Sequence, residues 1–379
     1  MSESAHQYFA RVTAGLERVA WQDVERRTGA RLLRFGHRRI DFSYDGPPHA
    51  LLALRSVDDI YVWVGRLTGM DRARASLARL TQQLRQVDFA PAVALCAAVR
   101  PLRQPPTYRV TSSHLGKRNY SRYDVEGAVE AALSAVLPWR FVPNDPEEGE
   151  PDLDLRALIE DDWALIGLRL GRAPLHRRAY KVASQPGSLK APVAYCLCLL
   201  AGLQPGDAVL DPACGAGTIM IEAAALVPGG VVIGGDRDSH AIARAQENLE
   251  AAGLAPRVVW ANAAQAAGGA GHIPSGEAVV LYHCDVQALP LADRSIHAVV
   301  TNLPWGQQVA AEADLSQLYT DFLRTIVRVL APGGWVVLLT DPADRFHAAL
   351  AAMPGLLLES SFQISLFGRH PTVFVCVSA

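Results

Sequence analysis

The chain has 379 residues, of which half are hydrophobic and a fifth are charged, as in folded globular proteins. At roughly 100 to 200 residues per domain, this length predicts two or three domains. No run reaches the roughly 20 apolar residues that cross a bilayer, and the first residues lack the pattern of a signal peptide, so we expect a cytoplasmic protein without a membrane partner. The six cysteines form no Cys-x-x-Cys pair, so no metal site is predicted, and Cys196 and Cys198 are expected to pack in the core.

Charge is distributed unevenly along the chain. Residues 1–190 hold 28 Lys and Arg against 22 Asp and Glu, whereas the remainder holds 8 against 16. Nearly all of the positive charge is arginine, which binds phosphates through paired hydrogen bonds and stacks on bases. A GC-rich genome would also favour Arg over Lys, but it would not explain the segregation. We therefore expect the first half of the chain to meet a polyanion.

The first half is predicted to form two small units that mix helices and strands, followed by a linker. In residues 1–65 the pattern predicts strands at 8–12, 31–35, 39–42 and 60–64, and helices at 16–28 and from residue 50. In residues 66–168 it predicts a helix at 72–86, a strand at 107–111, a polar loop at 112–123, a helix at 125–136 capped by Asp124, and paired strands at 153–158 and 163–168. Residues 169–190 are predicted to be a positively charged linker.

Residues 191–379 alternate strands with helices, which is typical of an α/β domain with a mostly parallel sheet. Strands are predicted at 208–210, 231–234, 279–283, 298–301 and 335–339, and helices at 218–226, 238–252 and 315–330. The chain is expected to end in an antiparallel hairpin of residues 362–367 and 372–377, which makes seven strands. The span 254–277, rich in Ala and Gly, receives no assignment.

A cofactor is predicted to bind where the first strand of this α/β domain ends. The strand runs into the turn Asp211-Pro212-Ala213-Cys214-Gly215-Ala216-Gly217-Thr218, whose glycines let a ligand approach the backbone closely. Asp236 lies 19 residues beyond Gly217, at the spacing at which an acid binds ribose hydroxyls. Asp285 follows the third strand and is expected to contact an adenine amine.

Two cofactor classes compete for this turn. A nicotinamide dinucleotide would favour Gly-x-Gly-x-x-Gly, but the third glycine is absent. Asp211, which stands before the turn, suits a positive charge such as an amino group or a sulfonium, and this favours S-adenosylmethionine over a pyrophosphate. An inert turn with a helix-capping aspartate is the remaining alternative.

The fourth strand ends in Asn302-Leu303-Pro304-Trp305, and Gly306 follows. This tetrad and the glycine turn resemble class I methyltransferases that methylate exocyclic amines, whose tetrad is Asn or Asp, an apolar residue or Pro, Pro, and an aromatic residue. The resemblance implies a Rossmann-like domain with a seven-stranded, mostly parallel sheet. Trp replaces the more usual Tyr or Phe, and His297 stands where an Asp often precedes the strand; we expect the His to affect only local packing.

The chemistry of an aromatic amine explains the tetrad. Its lone pair is drawn into the ring, so hydrogen bonds from its protons to the Asn302 amide oxygen and the Leu303 carbonyl would direct the lone pair toward the methyl group. Pro304 would stiffen the turn, and Trp305 would stack on the base. An ordinary Asn-x-Pro turn with a buried Trp is the alternative. The predicted cofactor-binding residues are Asp211, Pro212, Cys214, Gly215, Gly217, Thr218, Asp236, Arg237, Asp285, Val286 and Asn302.

The second unit resembles the THUMP domain, an RNA-binding module of tRNA-modifying enzymes that usually follows a ferredoxin-like domain. The matching stretch runs from Tyr108 through the polar loop to the helix at Val125, and the linker resembles that of the same enzymes. The resemblance implies a ferredoxin-like domain at 1–65, a THUMP domain at 66–168, the linker at 169–190 and the methyltransferase domain at 191–379. The predicted RNA-binding residues, for each of which an ordinary surface charge is the alternative, are Lys117, Arg118, Arg122, Arg177, Arg178 and Lys181.

The first residue of the tetrad indicates the target. In this group the tRNA guanine-N2 enzymes acting at position 10 typically carry Asp-Pro-Pro-Tyr, whereas those acting at position 6 carry Asn first. We therefore expect a monomer that methylates N2 of guanosine 6 in the tRNA acceptor stem. Position 10, ribosomal RNA, DNA adenine, a protein glutamine and a catalytically silent RNA-binding homologue stay open. The N-terminal module argues against DNA and protein targets, and the intact motifs argue against silence.

Overall fold

The computed structural model describes residues 6–143, 149–260, 276–303, 312–341 and 343–379. The chain forms two compact units: Met1–Val12 with Trp21–Leu175, and Thr13–Ala20 with His176–Ala379. In the described ranges, no helix is long and apolar enough to cross a membrane.

The first unit contains one mixed sheet, with eight strands among the described residues. The strands are β1 (His6–Arg11), β2 (Arg31–Gly36), β3 (Arg39–Tyr44), β4 (Asp59–Thr68), β5 (Thr107–His114), β6 (Arg140–Phe141), β7 (Leu153–Glu160) and β8 (Trp163–Arg169). The helices are α1 (Glu17–Thr28), which begins in the second unit, α2 (Ser76–Leu84), α3 (Ala90–Val99), α4 (Arg122–Leu133) and the 3-10 helix Pro48–Ala53. The order is β2-β3-β1-β4-β8-β7-β5-β6, and because β4 pairs with β8, one sheet runs through both predicted N-terminal units.

Two helix predictions for this unit need correction. The predicted helix at 72–86 is shorter, and α3 follows it within a stretch that the sequence analysis left unassigned. The N-cap of α4 is Ser121, whose hydroxyl oxygen accepts from the Asp124 amide at 3.3 Å. The Asp124 carboxylate in turn accepts from the Ser121 amide at 2.8 Å, so Asp124 is the third helical residue of a capping box and not the cap.

The core of this unit encloses an arginine that the sequence analysis counted with the linker. Arg169 is the last residue of β8 and is 8% exposed. Its guanidinium donates to Asp59 on β4 and to Asp154 on β7, each at 2.7 Å. Arg169 therefore joins three strands in the interior, and its charge is neutralised there.

The second unit is an α/β sheet, again with eight strands among the described residues. They are β9 (Ala208–Asp211), β10 (Val231–Asp236), β11 (Pro256–Trp260), β12 (Ala278–His283), β13 (Ile296–Asn302), β14 (Leu330–Thr340), β15 (Leu356–Gln363) and β16 (Thr372–Ser378). The helices are α5 (Ala191–Leu200), α6 (Thr218–Ala224), α7 (Ser239–Ala251), α8 (Glu312–Val329) and α9 (Ala343–Ala351). The order is β11-β12-β10-β9-β13-β14-β16-β15, with parallel pairing except around β16.

The predicted count of seven strands is wrong because β11 adds an edge strand, parallel to β12. Its Val258, Val259 and Trp260 favour extended structure, but they are few and lie at the start of a span dominated by Ala and Gly. The rest of that span, 261–275, lies outside the described residues. The antiparallel ending and its second strand, β16, are confirmed, but the predicted first strand at 362–367 is wrong, because β15 spans Leu356–Gln363.

The structure confirms two expectations about packing in this unit. Cys196 and Cys198 are 1% and 0% exposed on α5, as expected of core residues. His297 has a local structural role, because its Nδ1 accepts from the Ala208 amide at 2.9 Å and so links β13 to β9. The carboxyl ends of these parallel strands meet at one edge of the sheet, where α/β proteins bind ligands.

Candidate active site

A cavity of about 660 Å³ lies at the carboxyl ends of β9, β10 and β13. The predicted residues that line it are Asp211, Pro212, Cys214, Gly215, Thr218, Asp236, Arg237, Asp285, Val286, Asn302 and Leu303. Gly217 is not among its described lining residues and packs instead against Ala245 of α7. Pro304 and Trp305 lie outside the described residues.

The glycine loop has a conformation that larger residues adopt only with strain. Gly215 and Gly217 have φ values of +52° and +76°, in the left-handed region. A Cβ atom on Gly217 would lie 3.2 Å from the Cβ of Ala245, and one on Gly215 would lie 2.6 Å from Nε2 of Gln185. Glycine at residue 217 therefore lets the loop lie close to α7, and glycine at residue 215 leaves room for the Gln185 side chain beside the loop.

Asp211 is a buried acid at the end of β9, only 2% exposed. It accepts hydrogen bonds from Thr301 Oγ1 at 2.7 Å and from the Ala213 amide at 3.3 Å. Burial raises its pKa to about 7, although both hydrogen bonds favour the ionised form. Since both donors are neutral, a positively charged ligand group in the cavity would stabilise the carboxylate further.

Asp236 and Asp285 also contact the backbone around the cavity. Asp236 accepts from the Gly215 amide at 3.0 Å and from the Asp238 amide at 2.9 Å, and burial raises its pKa. Asp285 is exposed and caps the 3-10 turn Val286–Ala288. A carboxylate offers about four acceptor positions, so Asp236 keeps capacity for ligand hydroxyls while it holds the glycine loop.

Asn302 lines the cavity and carries a buried acceptor atom. Its Nδ2 donates to the Gly187 carbonyl at 3.4 Å, which orients the amide. Its Oδ1 is buried, and no donor in the described part of the chain is within hydrogen-bonding distance of it. A buried acceptor without a partner costs about 1 to 3 kcal/mol. This cost is removed when a ligand N–H reaches the atom, which is the contact that an exocyclic amine would make.

The sequence analysis missed one wall of the cavity, because it assigned residues 185–189 to the linker. All five line the cavity. Lys181, predicted to bind RNA, shapes this segment: its ammonium group donates to the Leu189 carbonyl at 2.7 Å and to Ser188 Oγ at 3.1 Å. The resemblance of the linker to that of known enzymes was the available signal.

The other predicted RNA-binding residues fall into two groups. Lys117, Arg122 and Arg177 are exposed. Arg118 is half-buried and donates to the carbonyls of Met70, Asp71 and Asp161, and Arg178 lies 3.4 Å from the buried Glu222. Arg118 and Arg178 therefore have bonds within their own units, and the RNA contacts of all these residues stay a prediction.

Comparison with known proteins identifies the family. A family model described as "UPF0020: RMKL-like, methyltransferase domain" matches residues 178–365. Over 270 residues the chain is 33% identical to tRNA (guanine(6)-N2)-methyltransferase of Thermus thermophilus, and this alignment covers 71% of the chain and 72% of that protein. The chain belongs to this methyltransferase family. It is therefore an enzyme, and its cofactor is S-adenosylmethionine.

Two further relatives show how far the likeness extends. The crystal structure of TrmN from Thermus thermophilus superposes with a TM-score of 0.76 at 25% identity, covering 99% of this chain and all of that one. The U6 snRNA (guanine-N(2))-methyltransferase THUMPD2 of Bos taurus is 29% identical over 243 residues, which are 64% of this chain and 42% of that protein. The chain thus aligns with less than half the length of this mammalian relative.

The residues of the cavity fit the methyl donor. Gly215 lines the cavity, and Asp236 has acceptor positions beyond those that hold the loop. In its ionised form Asp211 would supply a negative charge that suits the amino or sulfonium group of the donor, although burial raises its pKa to about 7. Asn302 lines the same cavity, and the described residues leave the acceptor capacity of its Oδ1 unused.

Proposed function

We propose that this protein transfers a methyl group from S-adenosylmethionine to the exocyclic N2 of guanosine 6 in tRNA. The observation that carries the reaction is the buried, unpartnered Oδ1 of Asn302, as judged within the described ranges, at the edge of the cofactor cavity. The tetrad with Asn first and the name of the Thermus relative support position 6.

In this proposal the residues of the site position the amine in line with the methyl group, and transfer requires no strong base. S-adenosylmethionine supplies an electrophilic methyl group on a sulfonium. The Asn302 amide oxygen and the Leu303 carbonyl accept the two amine hydrogens, so the nitrogen lone pair points along the line of transfer. Transfer would form a bond from N2 to the methyl carbon as the S–C bond of the donor breaks, and the proton released from the nitrogen would pass to water. Ionised Asp211 would attract the positively charged donor and help to hold it before transfer.

The N-terminal half is proposed to recognise the tRNA. Its division into a ferredoxin-like domain and a THUMP domain is supported by the excess of basic residues in this half and by the THUMP-like stretch from Tyr108. Among the predicted contacts, Arg122 is exposed and stacks 4.7 Å from the ring of Tyr123, which is itself 65% exposed. Such a pair offers a phosphate contact and a stacking face together.

A second RNA target is favoured by one observation, namely that a relative at 29% identity is named for U6 snRNA. The reaction at N2 of guanine would be the same, and only the RNA would differ. Position 10 of tRNA and ribosomal RNA are further targets for the same site. We also propose that the enzyme acts as a monomer and in the cytoplasm, where tRNA is abundant.

The test compares Asn302→Ala with Asn302→Asp on tRNA transcripts that carry guanosine or adenosine at position 6. Asn302→Ala should retain affinity for S-adenosylmethionine, measured by calorimetry, and lose at least about a hundredfold in turnover, since two to three orders of magnitude follow loss of one oriented hydrogen bond in a reacting site. Asn302→Asp keeps an acceptor oxygen and should retain more activity.

The transcripts separate the targets. Methylation of the guanosine-6 transcript alone, mapped by nucleoside mass spectrometry, is the expected result. Equal methylation of both transcripts would overturn position 6. Methylation of U6 or ribosomal RNA assayed in parallel, with neither tRNA transcript methylated, would overturn tRNA as the target. A large loss of cofactor affinity in Asn302→Ala would contradict the role of this residue toward the amine.

A further inference from the structure

Asn248 is a fully buried amide on α7, with 0% exposure. Its Oδ1 accepts from the Ala183 amide at 2.9 Å, and its Nδ2 donates to the Ala183 carbonyl at 2.9 Å. Nδ2 also donates to the Ala216 carbonyl at 2.8 Å. One side chain thus joins three segments that are distant in sequence: α7, the linker and the glycine loop.

Packing alone would not favour asparagine at this position. Asn is a poor helix former, and its buried amide is tolerated only because each polar atom has a partner. The two bonds to Ala183 pair its N–H and its C=O, as in a sheet ladder, so they fix both the position and the direction of the main chain there. The third bond fixes Ala216, between the two glycines of the loop.

The linker residues that follow Ala183 form the wall of the cofactor cavity. Gln185 comes two residues later, and its amide lies against Gly215, while Arg244 of α7 approaches its oxygen at 3.5 Å. Gly187 then accepts from Asn302. The wall therefore begins two residues after Ala183, which Asn248 holds by two hydrogen bonds.

We propose that Asn248 is a positioning residue for the methyl donor. It is not among the described residues that line the cavity, but its side chain is hydrogen-bonded both to Ala183 of the linker and to Ala216 of the glycine loop. Without Asn248, the direct hydrogen-bonded link between Ala183 of the linker and Ala216 of the glycine loop is lost, so the wall and the loop are held less precisely around the donor. The inference requires a methyl-donor cavity only and is independent of which RNA is the substrate.

The test is Asn248→Leu, which keeps the approximate volume and removes all three hydrogen bonds. The matched control is Gln246→Leu on the same helix, where the amide donates to the solvent-exposed Glu250. We expect Asn248→Leu to weaken binding of S-adenosylhomocysteine at least about tenfold by calorimetry, because buried backbone groups lose their partners. The control should bind within about twofold of the wild-type protein, since exposed pairs contribute little.

Hydrogen exchange separates positioning from general stability. In Asn248→Leu the peptides that contain Ala183 and Ala216 should exchange faster, while those of β9 and β10 keep wild-type protection. Asn248→Asp, which keeps the acceptor for the Ala183 amide but loses both donors, should weaken binding as well and serves if the Leu variant does not fold. Wild-type affinity in either folded variant, or uniformly faster exchange across the whole unit, would overturn the proposal.

Discussion

Binding of the methyl donor should depend on pH through Asp211. The carboxyl group is 2% exposed, and burial raises its pKa to about 7. A positively charged donor favours the carboxylate, so below this pKa binding must first remove a proton. The affinity should then fall by about tenfold in total between pH 8 and pH 6, and by about tenfold for each further pH unit below about 6.

Calorimetric titrations with S-adenosylmethionine at pH 5.5 to 8, in several buffers, would measure both the affinity and the protons released. Asp211→Asn should bind weakly and without this pH dependence. Thr301→Val removes the 2.7 Å hydrogen bond that favours the ionised form, so its transition should lie at higher pH than in the wild-type protein. The same pH slope in wild-type protein and in Asp211→Asn would refute the assignment to this carboxyl.

The raised pKa also predicts a stability effect of defined sign. Since folding disfavours the ionised form of Asp211, the ligand-free protein loses stability as pH rises from about 4 to 7, and the loss is complete above that range. Asp211→Asn should therefore raise the melting temperature of the ligand-free protein at pH 8 and leave it nearly unchanged at pH 4. A lower melting temperature at pH 8 would contradict this sign.

Two further predictions concern the glycine loop and the RNA. Gly217→Ala should weaken donor binding more than Gly229→Ala. Both glycines have φ near +75°, so the backbone strain of about 1 kcal/mol is shared, but only a Cβ at residue 217 would lie close to another atom, 3.2 Å from the Cβ of Ala245. Equal donor affinity in the two variants would contradict the packing argument. Replacing Lys117 and Arg122 by Ala should reduce the salt dependence of tRNA binding by about one ion per lost phosphate contact and leave donor affinity unchanged; an unchanged salt slope would exclude both as phosphate contacts.

The sequence by itself determined the parts of the second unit that depend on local pattern. Alternating strands and helices predicted the α/β sheet, and the strand–glycine turn–helix order located the cofactor cavity beside Asp211. The tetrad placed Asn302 at the end of a parallel strand. These predictions succeed because parallel strands bring their carboxyl ends to one edge of a sheet, whatever the intervening loops do.

Only the tertiary structure decided which polar groups are used inside the protein. Lys181 is a cation like Lys117 in sequence, but its bonds to the Leu189 carbonyl and to Ser188 assign it to the cavity wall. The contact of Thr301 with Asp211 spans 90 residues. Neither composition nor spacing reports such contacts.

Each of the two units contains a long-range contact that the sequence pattern did not indicate. The sequence showed strands on both sides of residue 65, but the pairing of β4 with β8 joins them into one sheet across a hundred residues of chain. Asn248 reads as an ordinary residue of an amphipathic helix, and its role follows from Ala183 and Ala216 meeting it in space. Periodicity determines which face of an element is buried, whereas the partners of a buried polar group depend on how distant segments pack.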